Sequence, residues 1–390
     1  MIGMISVWKW LALVLLCVCL LAVSKVLFFD SAHVDPDPNG FFIQGLEECA
    51  VLTQNQTNCY KQLVEEVLKI FDTKIFVHTI QDERIEQSLL YGCHIFFHFY
   101  GQSVAKQIGN IGETLALGTP TCFAGFYHGA LENYFLEEAI FPGTEESRFM
   151  KVIPALCKRE YFDLEQNYYQ CLHGLGHSLM FATDSELPLA LKYCDVLDTD
   201  TGREMCYSGA FMENSFSNTN PVHQSKYIRE EDPSYPCTIL DEKYRASCYQ
   251  QQTGYLIGYY GGDWGKVRSF CNALSGVYQA RCFNGLGQQL VGSVNISEVV
   301  TQCGYVDKES GVRECLRGTL VAIDAAYPHS PERIIDVCVH AQSLEFSNEC
   351  TQRAVDIVRS RVSGMRNVLD VCNRVDDQSI RSACIEIAEQ

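Results

Sequence analysis

The feature that most constrains this 390-residue chain is the placement of its 20 cysteines. Cys157/Cys171, Cys194/Cys206, Cys237/Cys248, Cys271/Cys282, Cys303/Cys315, Cys338/Cys350 and Cys372/Cys384 form pairs separated by 11 to 14 residues. The second cysteine advances from pair to pair by 35, 42, 34, 33, 35 and 34 residues, and Cys49/Cys59 repeats the layout at a separation of 10. A sustained period near 34 is the signature of stacked helical hairpins. Apolar residues recur at helical spacing after each second cysteine, as in Cys315-Leu-Arg-Gly-Thr-Leu-Val-Ala-Ile. Turn-prone residues such as Asp198 to Gly202 lie between the two. Each unit therefore reads as a helix ending at the first cysteine, a loop, and a helix starting at the second, with the disulfide clipping the two together. Eighteen cysteines give nine bridges, eight of them closing short loops and the ninth joining Cys93 to Cys122. Zinc ribbons need close Cys-x-x-Cys pairs, which the region after residue 29 lacks.

The expected fold is all-α, a disulfide-clipped α/α helical-hairpin repeat forming a solenoid, or a closed toroid around a central pocket. The layout is similar to that of disulfide-clipped helical repeats related to the tetratricopeptide and Sel1-like repeats. Their consensus motifs are absent, so the likeness implies no activity.

Cys17 and Cys19 lie in an apolar run from Trp10 to Phe29, long enough for a helix to span a bilayer. Lys9 precedes it and Asp30, Asp35 and Asp37 follow, the order of a signal anchor with its C-terminal side outside. The rival reading is a signal peptide cleaved near Ser24. Residues 1–29 are thus the anchor, 30–40 a linker and 41–390 an extracytoplasmic body, with a histidine-bearing half at 41–220 and regular repeats at 221–390. Disulfide use on this scale places that body in an oxidising space: periplasm, lumen or exterior. The formal charge of −18 repels phosphate backbones and argues against nucleic acid as a partner.

The histidines are not scattered. His94 and His98 are four apart, as are His173 and His177, and His128 stands four before Glu132. Residues at i and i+4 share a helix face, the spacing that lets two side chains reach one ion. Each pair follows a cysteine, so the three fall on neighbouring helices lining one surface. His94, His98, His128, Glu132, His173 and His177 are therefore expected as ligands of a divalent or transition metal ion, such as zinc, copper or iron. Packed histidines bonded beside aromatic neighbours, and acid/base catalysis without metal, are the competing readings. Glu213 is the candidate general base. Ser208, Met212, Asn284, Gln288 and Gln289 occupy matching positions in later units and are expected to face solvent. His33, His78, His223, His329 and His340 are isolated and expected at the surface.

Two functions of different class follow. One is a membrane-anchored metalloprotein, either a metal-dependent enzyme or a metal carrier. The other is a membrane-tethered scaffold binding a protein or peptide on its concave face. Glycine recurs three positions after the cysteine at Gly125, Gly174, Gly209, Gly285 and Gly318. A helix bears that cost of about 1 kcal/mol each where close packing requires it.

Overall fold

The computed structural model describes residues 37–80, 84–85, 87–137, 146–216, 225–327, 330–343, 346–361 and 365–390. The anchor expected at 1–29, most of the linker, His33, His223 and His329 lie outside them. Among the described residues no helix is long and apolar enough to cross a membrane.

The described chain is all helical, with 19 α-helices and no strand. In order they are α1 (Pro38–Ala50), α2 (Gln56–Ile70), α3 (Thr73–Thr79), α4 (Leu90–Ile108), α5 (Ile111–Leu117), α6 (Thr121–Glu137) and α7 (Glu146–Leu156). Next come α8 (Glu165–Ala182), α9 (Leu187–Cys194), α10 (Asp200–Phe216), α11 (Glu242–Tyr259), α12 (Trp264–Ala273), α13 (Gly276–Val291) and α14 (Ile296–Gly304). The last five are α15 (Glu309–Ala326), α16 (Glu332–His340), α17 (Ser347–Arg361), α18 (Met365–Asn373) and α19 (Gln378–Ala388). The expected linker therefore ends early. Pro38 opens α1, where its missing N–H costs nothing, and the Asp37 carboxylate caps the helix by accepting from the amides of Asn39 and Gly40.

All nine expected bridges are present, Cys93–Cys122 included, with Cα–Cα separations of 5.4 to 5.8 Å. The first cysteine closes a helix in α9, α12, α14, α16 and α18 as expected. Outside the Cys93–Cys122 bridge, the second does not open one. Cys171, Cys206, Cys248, Cys282, Cys315 and Cys384 are each the seventh residue of their helix. The polar stretch between the cysteines is mostly the exposed first turns of the second helix, so its turn-like composition reflects solvent rather than a loop. One unit departs further: Cys237 lies in a chain of turns, because Pro233 and Pro236 lack the amides a helix needs there.

Short outer helices present one apolar face. In α16, Ile334, Ile335, Val337 and Cys338 are buried. Long inner helices pack in a row in the order α4, α6, α8, α10, α11, α13, α15. Glycines set the spacing of that row. A Cβ on Gly209 would stand 1.9 Å from the carbonyl oxygen of His173, and one on Gly318 1.9 Å from that of Asn284. Nothing larger than hydrogen fits, so adjacent inner helices touch backbone to backbone. The row also bends back on itself. Helix α15, five places after α6 in the row, packs on α6, and α17, which continues the row by packing on α15, packs on α8. A repeated offset of this kind belongs to a tightly wound superhelix, nearer the toroid than the open rod.

Buried apolar side chains fall into two clusters, Phe42 to Tyr249 and Leu256 to Ala388, with Phe270 and Leu274 packed against both. The division lies inside α11. Tyr260 to Asp263 turn from α11 into α12, and Gly261 and Gly262 adopt φ of 62° and 81° there, which L side chains rarely do.

A candidate metal centre on three inner helices

Helices α4, α6 and α8 bring all six expected ligands together. Ring centroids separate His94 from His128 by 5.1 Å, His98 from His128 by 6.2 Å, and His128 from His173 by 6.0 Å. His128 and His177 stack at 4.3 Å, and His173 lies 4.9 Å from His177. The glycine spacing explains the convergence. A Cβ on Gly129 would stand 1.8 Å from the carbonyl of His98, and one on Gly125 2.5 Å from that of His94. The backbones approach beside the histidines themselves, and imidazoles on adjacent helices then meet. The start of α6 contributes too. Cys122, Phe123 and Ala124 have left-handed φ of 52°, 55° and 58°, and the Cys122 carbonyl accepts from Nδ1 of His94 at 3.1 Å.

Among the described residues, one group has metal-ligand geometry: His128, His173 and His177 each offer a nitrogen, all within 4.8 Å of one another. Nε2 of His173 and Nε2 of His177 are 3.2 Å apart. Two nitrogens bound to a tetrahedral zinc at about 2.0–2.1 Å stand about 3.3 Å apart. A hydrogen bond at that distance needs one shared proton, which a bound ion would replace. Nδ1 of His177 donates to the Glu213 carboxylate at 2.9 Å, which turns Nε2 of His177 toward His173. This is the carboxylate–histidine support that orients metal ligands. His128 is 3% exposed, and its Nε2 is buried with no hydrogen-bond partner. An unpaired buried nitrogen costs free energy that a bound ion would recover.

The electrostatics keep these nitrogens available. Burial, followed by the charges of neighbouring imidazoles, holds His128 and His173 well below the usual histidine range. Burial and then His98 lower His94 to about 4, so its Nδ1 keeps the proton it gives to Cys122 and Nε2 is bare. His98 behaves in the opposite way: burial opposes its charge, but Glu132 outweighs that and raises it. Its Nε2 donates to Glu132 Oε1 at 3.1 Å, while Gln102 donates to the other carboxylate oxygen at 3.1 Å. Burial would raise Glu213, yet the hydrogen bond and charge of His177 bring it below the usual carboxylate range. The Glu213 side chain is 45% reachable by solvent, so the cluster is open on the α10 side.

Sequence reasoning missed Gln102 and Ser178. Gln102 carried a signal, standing four residues beyond His98 on the face of His94 and His98. Ser178, which donates to the carbonyls of Gly174 and His128 at 2.9 and 3.4 Å, carried none. The later polar positions do not simply face solvent. Ser208 accepts from Gln251 at 2.7 Å, and Gln288 donates to Asn284 at 3.0 Å, all of them half-buried or buried. The first contact crosses from α11 to α10, and the second links residues one turn apart on α13. His78 and His340 are exposed, as expected.

Fold and site together define a class: a disulfide-clipped helical superhelix with a buried trihistidine cluster that could hold a metal ion. No protein-family model matches the chain, and no curated protein or solved structure matches it.

Proposed function

We propose that this protein is an extracytoplasmic metalloprotein, anchored to a membrane through residues 1–29, whose ion is held by His128, His173 and His177. The observation that carries the reading is the convergence of three imidazoles, each offering a nitrogen, one of which, His128, also has a buried Nε2 without a hydrogen-bond partner. Three protein ligands leave a fourth position open to water or substrate, as in catalytic rather than purely structural zinc sites. The ion would supply Lewis-acid chemistry at that position. Glu213 then serves chiefly to orient His177, rather than as the free general base its sequence position suggested. Nine bridges support an oxidising compartment. The charge order around residues 10–29 supports the anchor.

Elemental analysis of the full chain, purified without a polyhistidine tag, tests this. At least one ion per chain is expected, lost in the His173→Ala, His177→Ala double variant. A metal-free protein that takes up no zinc and ignores chelators would sink the reading.

A further inference from the structure

We propose that the end of the molecule at which its inner helices finish rests on the lipid bilayer, a second membrane contact beside the anchor. This rests on the reading of residues 1–29 as that anchor.

The inner helices from α4 to α11 run the same way. Gly125 and Gly129 on α6 meet His94 and His98 on α4, and Gly202 and Glu213 on α10 meet Leu172 and His177 on α8. Tyr244 and Gly254 on α11 likewise meet Tyr207 and Phe216 on α10. Between α6 and α8 the chain returns through α7, which begins with Phe149 on Phe135 and leads to the Cys157–Cys171 bridge. Helix α2 shares this direction, since Tyr60 near its start lies against Gly92 near the start of α4. The last turns of these helices therefore form one rim. Ile70 closes α2, Leu136 and Phe181 stand next to last in α6 and α8, and Phe216 and Tyr259 close α10 and α11. All five are 39 to 47% exposed. A single exposed apolar residue needs no explanation, but five at matching positions make a patch, and such patches mark contact surfaces.

The tether says what covers it. The chain leaves from this same end: Asp37 caps α1, and Phe41 in the first turn of α1 lies 5.6 Å from Phe71, the residue after α2. Residues 30–36 alone separate Asp37 from the apolar run, a reach of at most about 25 Å. The opposite ends of the inner helices stand about 27 Å further off, the length of the 18-residue α8. The rim is thus the face held beside the bilayer. Aromatic rings suit the headgroup boundary. Lys69 and Lys106, in the last turns of α2 and α4, suit the lipid phosphates there. The opposite end also exposes apolar residues, Tyr91, Phe123 and Val277. There, however, exposed Glu165, Asp200, Glu242 and Glu309 open helices, and lipid phosphates repel them.

Lipid photolabelling tests this. The full chain is placed in phosphatidylcholine liposomes doped with a phosphatidylcholine that carries an acyl-chain diazirine, then irradiated, digested and mapped by mass spectrometry. Adducts are expected on the peptides containing Leu136, Phe181 and Tyr259 as well as on residues 10–29, and none on those containing Tyr91 and Val277. Phe181→Ser with Tyr259→Ser should lose the adducts at those two positions and keep the ones at 10–29. Adducts confined to 10–29 overturn the rim contact and leave the anchor standing, with a dimer in native mass spectrometry assigning the rim to a second copy. Adducts on the rim without any at 10–29 uphold the contact and overturn the anchor. Equal labelling of both ends overturns the proposed orientation, and a chain without adducts overturns both readings.

Discussion

At the scale of single residues, a few glycines decide whether the centre can exist. Gly209 faces the His173 carbonyl at a distance that admits no methyl group. Gly209→Ala must push α10 away from α8, an overpacking penalty of about 1–3 kcal/mol. It should also weaken metal binding, because Glu213 on α10 would leave His177. Gly258, inside α11, has nothing within 4 Å of a built Cβ. Gly258→Ala should therefore raise stability, by up to about 1 kcal/mol. Denaturant titration of the two variants checks both signs. Asp195 gives a pH prediction. Burial alone would raise its carboxyl, but Lys243, Tyr207 and Tyr244 all donate to it and hold it below the usual range. A depressed folded pKa contributes stability that is present above the unfolded value, near pH 4, and is lost as pH falls through the folded value. Asp195→Asn should lower stability at neutral pH and flatten its decline below about pH 4, measured by thermal unfolding across pH.

At the scale of elements, the bridges are not equivalent. Cys93–Cys122 joins two inner helices, α4 and α6, across 29 residues, while Cys372–Cys384 clips one hairpin across 12. Loop entropy makes the former worth about 3.6 kcal/mol and the latter about 2.8 kcal/mol. The functional contrast should be larger. Cys93→Ser with Cys122→Ser frees the helices that carry His94, His98, His128 and Glu132, and zinc affinity should fall at least tenfold. Cys372→Ser with Cys384→Ser should leave affinity unchanged. Calorimetric zinc titration separates the two cases. The cysteine period served as a ruler that located the inner helices and put the histidines on three of them, so the core of the site was readable from spacing. Helix starts were not, because composition cannot distinguish a solvated first turn from a loop. Nor was the left-handed entry to α6, since Cys122, Phe123 and Ala124 have no sequence preference for that conformation.

At the scale of the whole molecule, ligand binding and folding are coupled. A site assembled from α4, α6 and α8 has no counterpart in the unfolded chain, so bound zinc should stabilise the fold. At a free concentration of 100 times Kd the gain is about 2.7 kcal/mol, visible as a rise in Tm that chelator reverses. The winding that brings α15 onto α6 and α17 onto α8 was not legible in any one unit. It accumulates from small rotations between neighbours, and no local pattern encodes their sum.

The bridges also bear on how the molecule is made. Eighteen thiols can pair in about 34 million ways. Here each of the 18 cysteines among the described residues joins its immediate neighbour along the chain, from Cys49–Cys59 to Cys372–Cys384. A body that enters an oxidising space in chain order, from residue 41 onward, needs only to couple each newly arrived odd thiol to the next one through. Order of emergence supplies the whole connectivity, and no later exchange of partners is required.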